Sequence, residues 1–379
     1  MTMEIRDKLI LISAGGTGGH MLPAASLARD LVSRGFRVEV ATDWRGHTFE
    51  KFFGGLTMHV LKSGTLHQGF IRKITGPVSL VIGIGQAYRL VEKLKPIVVI
   101  GFGGYPSFPS VYVAQNKKIP TILHEQNAVL GRANIVLSKR ADRIALSLPH
   151  VEGVSDFDQP KIVVTGNPVR EEIGRLYALP YPLLQADGPL RIFVMGGSLG
   201  AKVFSIVVPA ALARLPAAQR ARIEIIQQCR SEDIEAARDT YTRAGIKARL
   251  ETFFHDVPEI LASSHLVISR SGASTVAEVT TAGRPAIFVP YPHHADQQQK
   301  ANAETVADQG GAWVMTEAGF TEDALLARIE TFLQNPETLF RAAEAARSCG
   351  RPDAARRLGN LVVALASGWD HVRSYDQED

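Results

Sequence analysis

Short apolar runs that end abruptly in glycine or small polar residues recur along the chain. Leu9-Ile10-Leu11-Ile12-Ser13-Ala14 passes straight into Gly15-Gly16-Thr17-Gly18-Gly19-His20, and a helix-period stretch over 22–34 stops at Gly35. Residues 37–41 then read as a second strand. Strand, glycine turn, helix, strand is a βαβ unit and predicts a parallel sheet. Further buried strands are predicted at 97–100, 121–123, 144–146 and 162–164. Asn167-Pro168-Val169-Arg170 and the proline-rich Leu179-Pro180-Tyr181-Pro182 interrupt the alternation as a hinge. A second start follows, with a strand at 190–195 and the glycine turn Gly196-Gly197-Ser198-Leu199-Gly200-Ala201. Strands at 223–227, 249–252, 266–268, 286–289 and 312–315 continue it, and helices at 322–333, 337–347 and 353–366 close the chain. The expected architecture is α/β, with two Rossmann-like, doubly wound parallel-sheet domains facing a central cleft. They span 1–170 and 171–350, with the segment 351–379 packing back on the first.

The composition narrows the class. The 379 residues suffice for two domains, and 45% hydrophobic with 21% charged residues is the balance of a soluble globular protein. A formal charge of +4 is too small to argue for nucleic acid and suits an acidic substrate or an anionic membrane surface. Cys229 and Cys349 alone offer neither a disulfide framework nor a cysteine zinc site, which points to a reducing compartment. The early apolar run is charged in front and ends in glycines, unlike a secretory signal. No apolar run of about 18 residues exists to span a membrane.

The densest polar chemistry lies at 270–298. After the strand 266–268, Arg270-Ser271-Gly272-Ala273-Ser274-Thr275 turns tightly into a helix, whose free N–H groups make a ready anion site. Glu278 follows four residues after Ser274, where a carboxylate can accept both hydroxyls of a ribose diol. Beyond the strand 286–289 the chain delivers His293, His294, Asp296, Gln297 and Gln298, at the strand edge where open α/β sheets bind ligands. This combination suits a nucleotide-sugar donor. In the first half, Thr17 is a sugar or phosphate partner, and His20 stands at a helix start as a base or a local cap. Phe102-Gly103-Gly104-Tyr105-Pro106-Ser107 and His124-Glu125-Gln126-Asn127 follow buried strands, and Asn134 comes one to two helical turns later. Glu125 is a candidate base or orienting carboxylate, and Asn127 a sugar-hydroxyl partner. The segment GGTGGH misses the third glycine of the dinucleotide fingerprint, which disfavours a dehydrogenase.

Taken in order, GGTGGH, GGYPS, HEQN, GNPVR, GGSLG and RSGASTVAE followed by Gln297-Gln298 resemble the MurG family of peptidoglycan glycosyltransferases over 9–347. The resemblance implies a GT-B fold and inverting transfer of N-acetylglucosamine (GlcNAc) from UDP-GlcNAc to the C4 hydroxyl of the muramyl residue of lipid I, without a metal or other cofactor. It places Thr17, Gly18 and Gly19 near the donor diphosphate and sugar, and Asn127 on the GlcNAc. Arg170 and Ser198 fall to the phosphates, Glu278 to the ribose, and Gln297 and Gln298 to the sugar hydroxyls. Phe254 offers its main chain to uracil, although an aliphatic residue is expected there. Tyr105, Asn134, Arg270, Ser274 and Thr275 complete the substrate-binding set. The base is His20 or Glu125, and spacing does not choose between them.

An acceptor carried in a membrane implies a docking surface at the cytoplasmic face of a bacterial inner membrane. The apolar stretch 70–82, rimmed by Arg72, Lys73, Arg89, Lys93 and Lys95, fits an anionic leaflet; read from its residues alone it equally fits a core helix with solvated ends. Cell-wall or division proteins stay open as partners. The rival readings are a UDP-GlcNAc 2-epimerase and a non-catalytic nucleotide-sugar-binding protein.

Overall fold

The computed structural model describes residues 7–63, 70–197, 200–293 and 296–368, and of 70–77 the backbone alone. The chain divides into two compact units, one built from Met1–Arg170 with Asp353–Asp379, the other from Glu171–Pro352.

In unit 1 seven strands form one parallel sheet: β1 (Leu9–Ser13), β2 (Arg37–Thr42), β3 (Met58–Val60), β4 (Val98–Gly101), β5 (Thr121–Glu125), β6 (Arg143–Leu146) and β7 (Ile162–Val164). Their order is β3-β2-β1-β4-β5-β6-β7. The winding therefore reverses between β1 and β4. Helices α1 (Gly18–Ser33), α2 (Phe70–Leu94), α3 (Gly104–Asn116) and α4 (Arg132–Ser138) make the crossovers. Successive side chains of β1 point to opposite faces. Ile10 and Ile12 pack with Leu27 and Leu31 of α1, while Leu11 packs with Val91 of α2, Val111 of α3 and Leu137 of α4. Each such side chain contributes roughly 1.5–3 kcal/mol on burial.

Unit 2 repeats the plan. Strands β8 (Leu190–Met195), β9 (Ile223–Gln228), β10 (Lys247–Glu251), β11 (Leu266–Ser269), β12 (Ala286–Phe288) and β13 (Ala312–Val314) run parallel in the order β10-β9-β8-β11-β12-β13. The reversal lies between β8 and β11. The helices are α5 (Glu171–Leu176), α6 (Lys202–Ala213), α7 (Ala217–Arg220), α8 (Ile234–Ala244), α9 (Val257–Ser263), α10 (Ala273–Thr281), α11 (Gln298–Ala307), α12 (Glu322–Gln334) and α13 (Glu337–Cys349). Buried Arg284 ties α9 to α10 by donating to the carbonyls of Leu261, Ala262 and Ala282.

The last helix, α14 (Ala354–Ala366), belongs to unit 1 and packs on α1. Leu358, Leu361 and Val362 join the Ile10–Leu27–Leu31 cluster. Arg34 donates to the side chain of Asn360 and to the Arg356 carbonyl. A Cβ on Gly359 would stand 2.0 Å from Asp30 Oδ2, so a larger residue there would make the Asp30 and Arg34 side chains shift.

Several expected boundaries move. Helix α1 starts at Gly18 rather than at 22, because Gly18, Gly19 and His20 form its first turn. Strand β5 extends through His124 and Glu125, which were expected in a following loop. Strand β3 was not expected at all, being three residues on a sheet edge.

Candidate functional site

Both reversals of strand order coincide with the glycine loops. In doubly wound sheets such a switch point, beyond the carboxyl ends of the strands, is where ligands bind.

At the switch point of unit 1, the loop after β1 is held from below by buried Asp43. Its Oδ1 accepts from the N–H of Gly16 at 3.1 Å and of Gly46 at 2.9 Å, and its Oδ2 meets Arg45 Nε at 2.8 Å. Gly16 takes φ +87°, a left-handed conformation that glycine adopts without strain. The loop after β4 has two more left-handed glycines, Gly103 and Gly104. A Cβ on Gly104 would lie 3.4 Å from His20 Nε2, so this loop passes close under the imidazole. Thr17 is exposed at the N-cap of α1, and Gly18, Gly19 and Tyr105 are half-buried. No acidic residue occupies the first turn of α1 or α3, which leaves both helix ends attractive to anions.

The run 124–127 is not a solvated loop. His124, Glu125 and Gln126 are buried, with Asn127 half-buried, and all four are hydrogen-bonded. Glu125 is 2% exposed, and four donors converge on its carboxylate. They are the N–H and Nδ2 of Asn127 at 3.1 and 3.2 Å, the N–H of Gly131 at 2.9 Å and Asn134 Nδ2 at 2.8 Å. Asn134 is buried, and its Oδ1 has no hydrogen-bond partner among the described residues. His20 is half-buried, with Nδ1 3.0 Å from Gln126 Oε1. Gln126 Nε2 lies 2.8 Å from His124 Nδ1, and His124 Nε2 is 3.1 Å from the Gly166 carbonyl oxygen. Burial pushes the His124 imidazolium down to about 4, against a lesser opposing effect of the Gly166 bond, and nearby His20 lowers it further. Arg170 ends the first stretch of this unit, half-buried.

At the switch point of unit 2, the loop after β8 carries left-handed Gly197 and Gly200; Ser198 between them lies outside the described residues. Gln228, at the end of β9, accepts from the Gly196 N–H and donates to the Thr252 carbonyl. A cavity of about 560 Å³ opens beside these loops, lined by Gly200, Gln228, Cys229, Arg230, Ser231, Glu232 and Thr252. The ring of Phe254 is buried edge-on against Phe193, beneath the Arg249 guanidinium. Its aromatic bulk is thus part of the core.

Helices α6 and α10 also lack acidic residues in their first turns, whereas α8, α9 and α12 carry them. Ser274 and Thr275 lie in the first turn of α10, half-buried, and Glu278 is buried one turn later. Arg270 is committed to the framework: it donates to the carbonyls of Val289 and Pro290 and pairs with Glu317. Gln297 adopts a left-handed conformation, φ +49°, at the start of α11, and Gln298 caps back onto Asp296. A non-glycine residue in that region stores strain of the kind met at ligand sites. His293 packs on Tyr291, and His294 lies outside the described residues.

Sequence reasoning passed over Asp43 and Gln228 as site builders, and gave Gln126 no role of its own within its polar run. Each sits at or just past the end of a strand, which is the only signal it offers.

Models of the N-terminal and C-terminal domains of glycosyltransferase family 28 match residues 10–146 and 191–358. The UDP-N-acetylglucosamine–N-acetylmuramyl-(pentapeptide) pyrophosphoryl-undecaprenol N-acetylglucosamine transferase of Rhodospirillum centenum is 50% identical over 357 residues, covering 94% of each chain. The crystal structure of Acinetobacter baumannii MurG superposes with a TM-score of 0.77 at 31% identity, covering 94% of this chain and 99% of that one. A UDP-N-acetylglucosamine 2-epimerase reaches 0.65 at 14% identity over 99% of both chains, a likeness of fold alone. With family models across both units and a half-identical relative along nearly its whole length, the chain belongs to glycosyltransferase family 28 and, within it, to the MurG family of N-acetylglucosamine transferases.

Proposed function

We propose that this chain transfers GlcNAc from UDP-GlcNAc to the C4 hydroxyl of the muramyl residue of lipid I, with inversion, giving lipid II for peptidoglycan synthesis. The observation that carries the reading is the 50% identity, along 94% of both chains, to a transferase named for that reaction. The geometry supports the chemistry. Unit 2 takes the donor: the cavity beside Gln228 and Thr252 accepts the nucleoside, Phe254 through its main chain, and Glu278 the ribose diol. The acid-free ends of α6 and α10 stabilise the diphosphate as its charge grows, a role in which preorganised dipoles are most effective, and the family resemblance assigns Ser198 and Arg170 to the phosphates. Ser274, Thr275, Gln297 and Gln298 serve the phosphates and sugar hydroxyls, with Arg270 holding their loops in place.

Unit 1 takes the acceptor and supplies the base. We assign the base to His20. Glu125 has its carboxylate lone pairs filled by its own loop, whereas His20 Nε2 has no hydrogen-bond partner among the described residues. Glu125 instead fixes Asn127 and Asn134. Thr17, Gly18, Gly19, Tyr105 and Asn127 surround the reacting sugars. The enzyme docks peripherally on an anionic cytoplasmic leaflet through α2, where Val78, Val81, Ile82 and Tyr88 are exposed near exposed Arg89, Lys93 and Lys95.

The test is transfer of labelled GlcNAc to a lipid I analogue in EDTA. Labelled lipid product supports the acceptor and a reaction that needs no metal. Product only after Mg²⁺ is restored overturns the metal-free part, and release of UDP with an epimerised sugar overturns the reading itself.

A further inference from the structure

The hydrogen bonds behind His20 carry a further step, which rests on the reading of His20 as the base. Two main-chain carbonyls, which can only accept, set their direction. The Gly166 oxygen lies 3.1 Å from His124 Nε2, so that nitrogen carries the hydrogen. With its imidazolium favoured only below about pH 4, the buried His124 ring is neutral near pH 7, and its Nδ1 holds a lone pair. The second carbonyl is that of His124 itself, 3.2 Å from Gln126 Nε2. The same amide nitrogen is 2.8 Å from His124 Nδ1. The two hydrogens of the Gln126 amide thus have two acceptors, and the reversed amide would set its oxygen against both. Gln126 Oε1 is left facing His20 Nδ1 at 3.0 Å, where only an N–H can meet it. A neutral imidazole protonated at Nδ1 has its lone pair at Nε2.

We propose that Gln126, oriented by His124 and the Gly166 carbonyl, is a positioning residue that holds His20 in its Nδ1–H tautomer and so presents the Nε2 lone pair to the acceptor hydroxyl. The hydroxyl hydrogen moves to Nε2 as the oxygen bonds to C1 of the sugar. The C1–oxygen bond to the diphosphate breaks, and its electron pair leaves with UDP. The Nδ1–H to Oε1 bond survives the transfer, because the amide oxygen accepts equally from imidazole and imidazolium. His124 reaches no solvent, so its part is exerted through Gln126.

The experiment is a two-bond proton–nitrogen correlation spectrum of the full chain labelled with ¹⁵N-histidine, the His20 signals being assigned by their loss in His20→Ala. In the unsubstituted protein Nδ1 is expected to resonate as a pyrrole-type nitrogen and Nε2 as a pyridine-type one. Gln126→Leu should mix the tautomers and lower kcat by on the order of 10²-fold, the low end of what general base catalysis supplies, with KM for UDP-GlcNAc unchanged. His124→Phe, which keeps the main-chain acceptor and removes both ring nitrogens, Nδ1 toward Gln126 and Nε2 toward Gly166, should fall between. A hydrogen on Nε2 of His20 in the unsubstituted protein overturns the proposal, whatever the variants do. Full kcat in Gln126→Leu beside an inactive His20→Ala also overturns it, and leaves His20 standing as the base. A His20→Ala protein that keeps its kcat overturns the base reading, and the proposal with it.

Discussion

Glu125 and His124 show how one residue's neighbours decide its chemistry. Both belong to a polar run that sequence alone places after a strand, yet both are buried in β5. Glu125 is held by its own loop, but Gln126 meets His20 and His124 meets the Gly166 carbonyl far along the chain, and no local pattern encodes such meetings. The glycines at 16, 103 and 104 were legible because a left-handed turn demands the residue type itself. Burial also has a measurable cost in acid. His124 in unit 1 and His265 in unit 2 are both pushed down to about 4, chiefly by burial. Between that value and the ordinary histidine pKa of about 6.5, the unfolded chain binds protons that the folded chain refuses. Stability is therefore complete above about pH 6.5 and declines as pH falls toward 4, by up to about 1.4 kcal/mol per pH unit for each histidine. Urea midpoints at pH 7 and pH 5 should show the loss, and His124→Phe should remove the share of unit 1. Equal midpoints would contradict it.

At the scale of elements, α2 was the most ambiguous segment in the sequence, apolar enough for either a core helix or a membrane-facing one. Its two sides have different fates. Ala87 and Val91 are buried against the sheet, and Gly83 lets the Lys62 carbonyl pass where a Cβ would stand 1.9 Å away. Val78, Val81 and Ile82 lie on the exposed side, with Val81 68% exposed. The side chains of 70–77, including Arg72 and Lys73, fall outside the described residues. Helical spacing sets 78, 81, 82 and 85 in one stripe, so a charge at 81 sits in its middle. Val81→Glu should leave stability within about 0.5 kcal/mol, as exposed substitutions usually do. It should also weaken co-sedimentation with anionic vesicles several-fold, and transfer to a bilayer-borne acceptor with it, while a water-soluble acceptor analogue is still used at the original rate. Unchanged vesicle binding would remove α2 from the docking surface.

Over the whole molecule, the duplicated plan of strand, glycine turn and helix was readable from Leu9 and again from Leu190, because each half repeats the same abrupt change from apolar to glycine. What the sequence did not disclose was the means by which α14 meets α1. That contact brings Gly359 over Asp30 and engages Arg34 with Asn360, neither of which has a local signature. Ending the chain after Pro352 should expose the faces of Leu27 and Leu31 that Leu358, Leu361 and Val362 cover. At about 1.5–3 kcal/mol for each of these three side chains, the loss rivals the whole stability of an ordinary domain. Unit 1 should then melt first while unit 2 keeps its own transition, a separation that calorimetry resolves. A single unshifted transition would argue that α14 is dispensable.

The discontinuity of unit 1 has a temporal side. On the ribosome, residues 171–352 emerge as an unbroken stretch between the two parts of unit 1, so the unit begun first waits on the second before it can be completed. Until α14 leaves the exit tunnel, an apolar face waits uncovered, and nascent chains in that state attract chaperones or one another. A chain that stopped short of α14 would have one finished half and one open half. The first unit thus stays open for as long as the second takes to make.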